Sequence, residues 1–188
     1  MARADVKKTA RPSSPMRKEI IGIFLFFLVI LTLTSLLSYS PDDPSIHNAR
    51  AEGAIFNLFG LVGAHLAGLL VGLFGLGAFW LPVLLLFSSL HFFGSRPERT
   101  LTGLFMGGLL LVVTSGSLMA LQQDHYELLG SRFSAGGIIG IPLKSFLVRY
   151  SNLTGGAIIL ALLWLVGFMM ATGFSLLTFA RRARQLWV

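Results

Sequence analysis

The sequence predicts an all-α integral membrane protein: four transmembrane helices with two short Gly-rich interfacial or re-entrant helices, built as a parallel internal repeat. Three observations predict it. Charged residues make up 12% of the chain and hydrophobic residues 54%, where a soluble domain carries about 25% charge. The apolar residues fall into four long runs free of Asp, Glu, Lys and Arg. Lys and Arg crowd some of the segments between runs and avoid others, as they do on the two sides of a bilayer.

A helix rises about 1.5 Å per residue, so about 20 residues cross a hydrocarbon layer about 30 Å thick. Residues 20–39, IIGIFLFFLVILTLTSLLSY, fit one crossing. A secretory signal is a poorer reading, because its apolar core runs only about 7–15 residues and Pro41 would follow the cut. The crossing stops at SYSPDDPS, 38–45. Pro41 and Pro44 remove backbone donors and disfavour helix. Asp42 and Asp43 are costly in hydrocarbon and favour turns. Ser38 and Tyr39 then lie at headgroup depth, the place where Tyr collects.

The second run, 54–93, is long enough for two crossings but is not uniform. Residues 60–77 hold six glycines, Gly60, Gly63, Gly68, Gly72, Gly75 and Gly77, whereas 78–93 hold none. It reads as a short helix over 55–72 followed by one crossing over 74–93. The third crossing is expected over 101–121 and the fourth over 157–180. Residues 1–19 then form a basic cytoplasmic tail, 20–180 the membrane domain, and 181–188 the start of a cytoplasmic linker.

Charge placement selects this layout. Arg3, Lys7, Lys8, Arg11, Arg17, Lys18, Arg96, Arg99, Arg181, Arg182 and Arg184 fall on one side, and only Arg50, Arg132, Lys144 and Arg149 on the other. Cations mark the cytoplasmic face, so both termini are expected inside. A double crossing in the second run would put Arg181, Arg182 and Arg184 outside and spoil that asymmetry.

The repeat appears on shifting the chain by about 77 residues. Gly60-Leu-Val-Gly63 faces Gly137-Ile-Ile-Gly140, and Leu70-Val71 faces Leu147-Val148. After a three-residue insertion Gly75–Phe79 faces Gly155–Ile159. Both halves start on the same side, so the repeat is parallel rather than inverted. Residues 136–148 should therefore form the same kind of short helix as 55–72. In that helix Lys144 and Arg149 are expected to reach headgroups while Ile138, Ile139, Leu143, Phe146 and Leu147 face lipid or protein.

Small residues recur at helical spacing. Ala64, Gly68 and Gly72 share one face, as do Gly103 with Gly107 and Gly167 with Ala171. Such faces let helix backbones approach closely in lipid. They serve either packing within the bundle or contact with a partner helix.

Nothing in the pattern resembles an active site, and no cofactor is expected. The four crossings hold no acidic or basic side chain apart from histidine, whereas proton relays and ion paths need buried ionisable groups. His65 and His91 read as interfacial. Asp124, His125 and Glu127 are too few and too loosely spaced for a metal centre. The Gly-rich stretch lacks the Lys of a G-x-x-x-x-G-K-[ST] phosphate loop. The basic N-terminus suits anionic lipid, at about 1 kcal/mol per cation, better than nucleic acid. A small channel or transporter would need polar helix faces, and a lipid enzyme a catalytic cluster at one interface.

The order of motifs carries a resemblance. An apolar first helix ending in SYSPDDPS, the stretch N-L-F-G-L-V-G-A-H-L-A at 57–67, F-W-L-P at 79–82 and G-G-I-I-G at 136–140 resemble the N-terminal four-helix membrane domain of the FtsK/SpoIIIE family of DNA translocases, over roughly residues 17–185. The resemblance implies a membrane anchor at the bacterial division septum that contacts other division proteins. It also implies a homo-oligomer, a hexamer if the ring follows the family's cytoplasmic motor. No ATPase motif lies in these residues, so the resemblance assigns the chain neither catalysis nor direct contact with nucleic acid. The expected contact residues are Ser38, Tyr39, Pro41, Asp42, Asp43 and Pro44 in the first outer segment, with the small residues Ala64, Gly68, Gly72, Gly103, Gly107, Gly137, Gly140 and Gly167.

Overall fold

The computed structural model describes residues 15–45, 54–93 and 101–173. The tail to residue 14, the segments 46–53 and 94–100, and residues 174–188 lie outside the described residues, and with them most of the cations that set the expected orientation, the end of the fourth crossing and the linker segment.

Four helical stretches are long and apolar enough to cross a membrane: Met16–Leu37, Gly60–Phe92, Thr102–Ala120 and Gly137–Thr172. Helix α1 is Pro15–Leu37. It opens on proline, whose missing N–H would be unpaired in a first turn anyway. Helix α2, Gly60–Phe74, stops where Gly75 takes φ 59°. A 3-10 turn over Gly75–Phe79 leads into α3, Trp80–Phe93. The 14 residues of α3 rise about 21 Å and the turn about 10 Å, so together they match a hydrocarbon layer that α3 alone does not. Helix α4 is Leu101–Ala120.

Between α4 and the last helix the chain forms an antiparallel hairpin, β1 His125–Leu128 and β2 Ser131–Ser134. The sequence reading had no strand here. The two-residue connection Leu129-Gly130 has φ 53° and 78°, the doubly positive pattern of the type I′ turn that matches strand twist. Tyr126 pairs with Phe133 across the ladder, and Phe133 is fully buried.

Helix α5, Gly137–Thr172, is interrupted at Asn152 with φ 59° and ψ 175°. A Cβ on Gly156 would lie 3.4 Å from Leu147 and Val148. Residues eight or nine apart on a straight helix are separated by about 12 Å or more. The chain therefore folds back at Asn152 into a first arm, 137–151, and a second arm, 153–172.

The repeat is visible in the backbone. Gly60 and Gly137 open their helices at φ 58° and 60°, and Gly75 and Asn152 break them at φ 59° each. Both pairs are 77 residues apart. The inserted residues therefore follow the break rather than precede it. Matching glycines aligned Gly75 with Gly155, but the structural partner of Gly75 is Asn152.

The short helices are inclined differently. Ser89 Oγ donates to Gly22 O over 2.9 Å, registering α3 on α1. Leu84 lies against Gly108, registering α3 on α4. Counted along the helices at about 1.5 Å per residue, Ser35 in α1 and Gly116 in α4 stand at the same height, about 19.5 Å above Gly22. Gly63 rests on Ser35, and the carbonyl of Phe74 on Gly116. Thus α2 lies across the end of the bundle where α1 and α4 finish, hereafter the capped end. The first arm of α5 instead stands upright. It starts beside Gly116 and Ser117, and its far end meets Gly156. Trp164 Nε1 donates to Ser115 Oγ over 2.9 Å. From that contact α4 continues about 7.5 Å, but the second arm of α5 about 16.5 Å, so the α5 hairpin stands about 9 Å past the end of α4.

Two apolar clusters hold this frame. Leu36, Ala67, Val71, Ala78 and Phe133 join α1, α2 and the hairpin at the capped end. Leu84, Leu111, Val112 and Ala171 join α3, α4 and α5, with Trp80, Trp164 and Phe168 around them. Phe74 packs on both clusters.

Candidate functional site

The residues after α1 fold back on that helix because Asp43 has backbone donors to bind. Asp43 is 2% exposed. Oδ1 accepts the N–H of Phe56 at 2.8 Å and Oδ2 the N–H of Asn57 at 2.9 Å. A buried carboxylate is costly unless its oxygens are bonded, and charge-assisted bonds of this kind are about twice as strong as neutral ones. Asn57, 3% exposed, extends the cluster. Its amide donates to Ser35 O at 2.8 Å and Ser38 O at 3.3 Å, and its side-chain oxygen accepts the N–H of Phe59 at 3.1 Å. Ser38 Oγ donates to Thr34 O at 2.7 Å and accepts from the N–H of Leu58 at 3.1 Å. The free carbonyls at the end of α1 are thus used to dock the start of α2. The hydroxyl of Ser35 is buried without a hydrogen-bond partner.

Tyr39 packs on Phe133 with ring centroids 5.0 Å apart. Burial raises its phenol pKa above the ordinary value, since removing water disfavours the phenolate. Pro41 and Asp42 are exposed and Pro44 is half-buried. From the SYSPDDPS stretch the structure therefore gathers Ser38 and Asp43 into one buried polar cluster, places Tyr39 on the hairpin, and leaves Pro41 and Asp42 on the surface.

The small residues meet one another or the backbone. Ala64 and Gly68 are buried on α2, and a Cβ on Gly68 would lie 2.5 Å from Ser45. Added to Gly137, a Cβ would lie 2.6 Å from the carbonyl of Gly72. Gly140 sits on Ser117, whose hydroxyl donates to Gly140 O over 3.0 Å. On Gly107 it would meet Ala171 and Met170 at 2.5 Å, and on Gly167 Leu111 at 2.9 Å. These glycines pack the chain against itself. Gly103 is half-buried.

Asp124 pairs with Lys144 at 3.0 Å. Lys144 is thus turned inward, unlike Arg149, which is exposed. The two cations of the first arm do not share the headgroup role expected of both. Among the described residues no three His, Cys, Asp or Glu side chains converge on a metal position. An open polar cleft of about 530 Å³ is lined by Gln123, His125, Tyr126, Glu127 and Arg132 on the β-hairpin.

Sequence reasoning missed Asn57, Ser117 and Phe133. Asn57 lay inside a stretch singled out for its motif, and a lone amide at the edge of an apolar run was the available signal. Ser117 looked like one more small residue of α4.

Comparisons with known proteins agree with this architecture. The DNA translocase FtsK of Vibrio vulnificus (strain CMCP6) is 35% identical over 163 residues, 80% of this chain. That of Shewanella oneidensis is 31% identical over 158 residues, also 80% of this chain. The DNA translocase FtsK 2 of Ralstonia nicotianae is 28% identical over 200 residues, 97% of this chain. The aligned part is 16%, 17% and 26% of those proteins respectively, so the chain spans about a sixth to a quarter of their length. No solved structure matches the chain. The family model for the 4TM region of DNA translocase FtsK/SpoIIIE matches residues 14–184, and the chain belongs to that family.

Proposed function

We propose that this chain is the membrane anchor and protein-interaction module of a cell-division DNA translocase, located at the septum of the bacterial inner membrane. The family membership supports the translocase context. The observation that carries the rest is the construction of the capped end. Ser35, Ser38, Asp43 and Asn57 join the described ends of one inter-span segment to α1, and Phe133 of the hairpin packs on Tyr39 beside them, so two segments between spans meet at one end of the bundle. The motor whose tethering this serves would gain effective concentration near its substrate from geometry alone.

Charge placement supports an orientation with the capped end outside the cytoplasm and both termini inside. The exposed Pro41 and Asp42, with segments 40–53 and 122–154, are the proposed contacts for other division proteins. The packed glycines of α4 and α5 hold the module together. Association into a ring, hexameric by analogy with the family's motor, would use other faces. No contact with nucleic acid is assigned to this chain. Thr32, Ser88, Thr114 and Thr172 within the spans bond to backbone carbonyls of their own helix, and Ser89 and Trp164 bond to neighbouring helices, an arrangement that does not favour a channel.

The test is a swap in the full-length translocase. An unrelated four-helix anchor with both termini inside replaces residues 1–188. Loss of septal fluorescence with normal membrane insertion is the expected result. Unchanged septal recruitment and division would overturn the interaction role. Alkaline phosphatase fused at Val188 checks the orientation, and its activity in the periplasm would reverse it.

A further inference from the structure

The first arm of α5 carries a feature that anchoring does not use. Ile138, Pro142, Ser145 and Arg149 follow at spacings of four, three and four residues, so they share one face of the helix. All four are exposed, and Ile138 is 60% exposed. The opposite face is occupied: Gly140 on Ser117, Lys144 on Asp124, Val148 on Gly156. At the foot of the open face lies a groove of about 470 Å³ between the end of α2 and the start of α5. Gly72, Ser134, Gly137, Ile138, Ile141 and Pro142 line it.

We infer that this groove and Arg149 together form a binding site for one anionic phospholipid of the leaflet at the capped end, with an acyl chain in the groove and the phosphate at the guanidinium. Height supports this. The arm starts beside Gly116, one turn inside the end of α4. Its tip stands about 9 Å past that end. Arg149, three residues before Asn152, therefore lies just outside the hydrocarbon. Ile138 lies about 16.5 Å along the arm from Arg149, inside it. That separation is close to the length of an acyl chain, and the lining offers that chain almost only carbon. Above the groove Arg149 supplies a bidentate donor suited to phosphate.

The test uses the full chain in bilayer nanodiscs of phosphatidylcholine and phosphatidylglycerol. Lipid that stays bound through mild detergent exchange is identified by mass spectrometry. Phosphatidylglycerol is expected to be enriched about fivefold over its bulk share, the ratio that corresponds to roughly 1 kcal/mol per surface cation. Arg149→Gln should abolish the enrichment and Arg149→Lys should keep most of it. The chain has no cysteine, so Ile138→Cys can carry a small fluorophore. Acyl chains brominated near mid-length should quench it, and aqueous iodide should not. Both positions are exposed, and unchanged thermal unfolding of each variant separates loss of the site from loss of the fold. Equal enrichment in Arg149→Gln, quenching at position 138 by iodide, or an Ile138→Cys disulfide between two copies would each overturn the site.

Discussion

The two halves of the molecule have the same backbone plan and opposite postures. In each half a helix ends at one end of the bundle, and a short helix opens on a glycine near φ 60° and breaks fifteen residues later at φ 59°. In the first half the short helix lies flat across the bundle. In the second it stands upright and carries the chain past the end of α4. The break residues therefore do not set the posture. The side chains that meet the helix start set it: Asp43 and Asn57 hold the start of α2 against α1, whereas Ser117 and the glycines of α4 let the first arm of α5 slide alongside and rise. A repeat can thus preserve where the chain bends and leave the angle to a few polar contacts.

Gly75→Ala and Asn152→Gly, one at each break, should change stability in opposite directions. At Gly75 a Cβ would run into the backbone of Ser134 and Ala135, which has no room to move because the carbonyl of Ala135 already binds the N–H of Leu76 at 2.9 Å. Strain at positive φ and overpacking each cost about 1–3 kcal/mol. Gly75→Ala should therefore destabilise the bundle by about 4 kcal/mol, read as a large drop in thermal unfolding temperature in detergent. A shift within error would mean that the 3-10 turn is not anchored on the hairpin.

The next largest effect tests what holds α2 flat. Asp43→Asn keeps the size of the side chain but turns an amide donor toward one of two backbone N–H groups. One buried donor loses its partner, at about 2 kcal/mol. Cysteine placed at Leu58 should then become more reactive toward a water-soluble thiol reagent. If stability falls but that reactivity does not, the lock stabilises the loop without setting the angle of α2.

How far the sequence revealed this contrast follows from distance along the chain. The four apolar runs are legible because the bilayer imposes their length locally. The stop after α1 is legible because Pro and Asp act where they stand. The Asp43–Asn57 lock is not, because its partners lie 13 to 22 residues apart and no local pattern announces them. The β-hairpin was hidden by its turn: Leu-Gly lacks the Asn or Asp that usually opens a type I′ connection. The break at Asn152 was masked by the nearby Gly155-Gly156 pair, which a glycine-matching alignment prefers.

That masked break predicts a gain. Asn152 holds φ 59° with ψ 175°, a combination that only glycine adopts readily. Asn152→Gly should relieve more strain than the added freedom of the unfolded chain costs, a net stabilisation of about 1 kcal/mol. Asn152→Ala should lose stability. If both substitutions destabilise, the Asn side chain contributes a contact that the glycine cannot replace.

The smallest effect lies at Tyr39, where the halves meet through Phe133. At pH 7 Tyr39→Phe keeps the ring contact and should change stability little. The difference appears at alkaline pH. The folded state raises the phenol pKa by burial, so the unfolded chain releases its proton first. The neutral-ring contribution is complete below the unfolded pKa of about 10 and is lost as pH rises toward the folded value. Wild-type stability should therefore decline above about pH 10 more steeply than that of Tyr39→Phe. Parallel curves would place the phenol in water and loosen the aromatic contact between Tyr39 and Phe133 that ties the end of α1 to the second half.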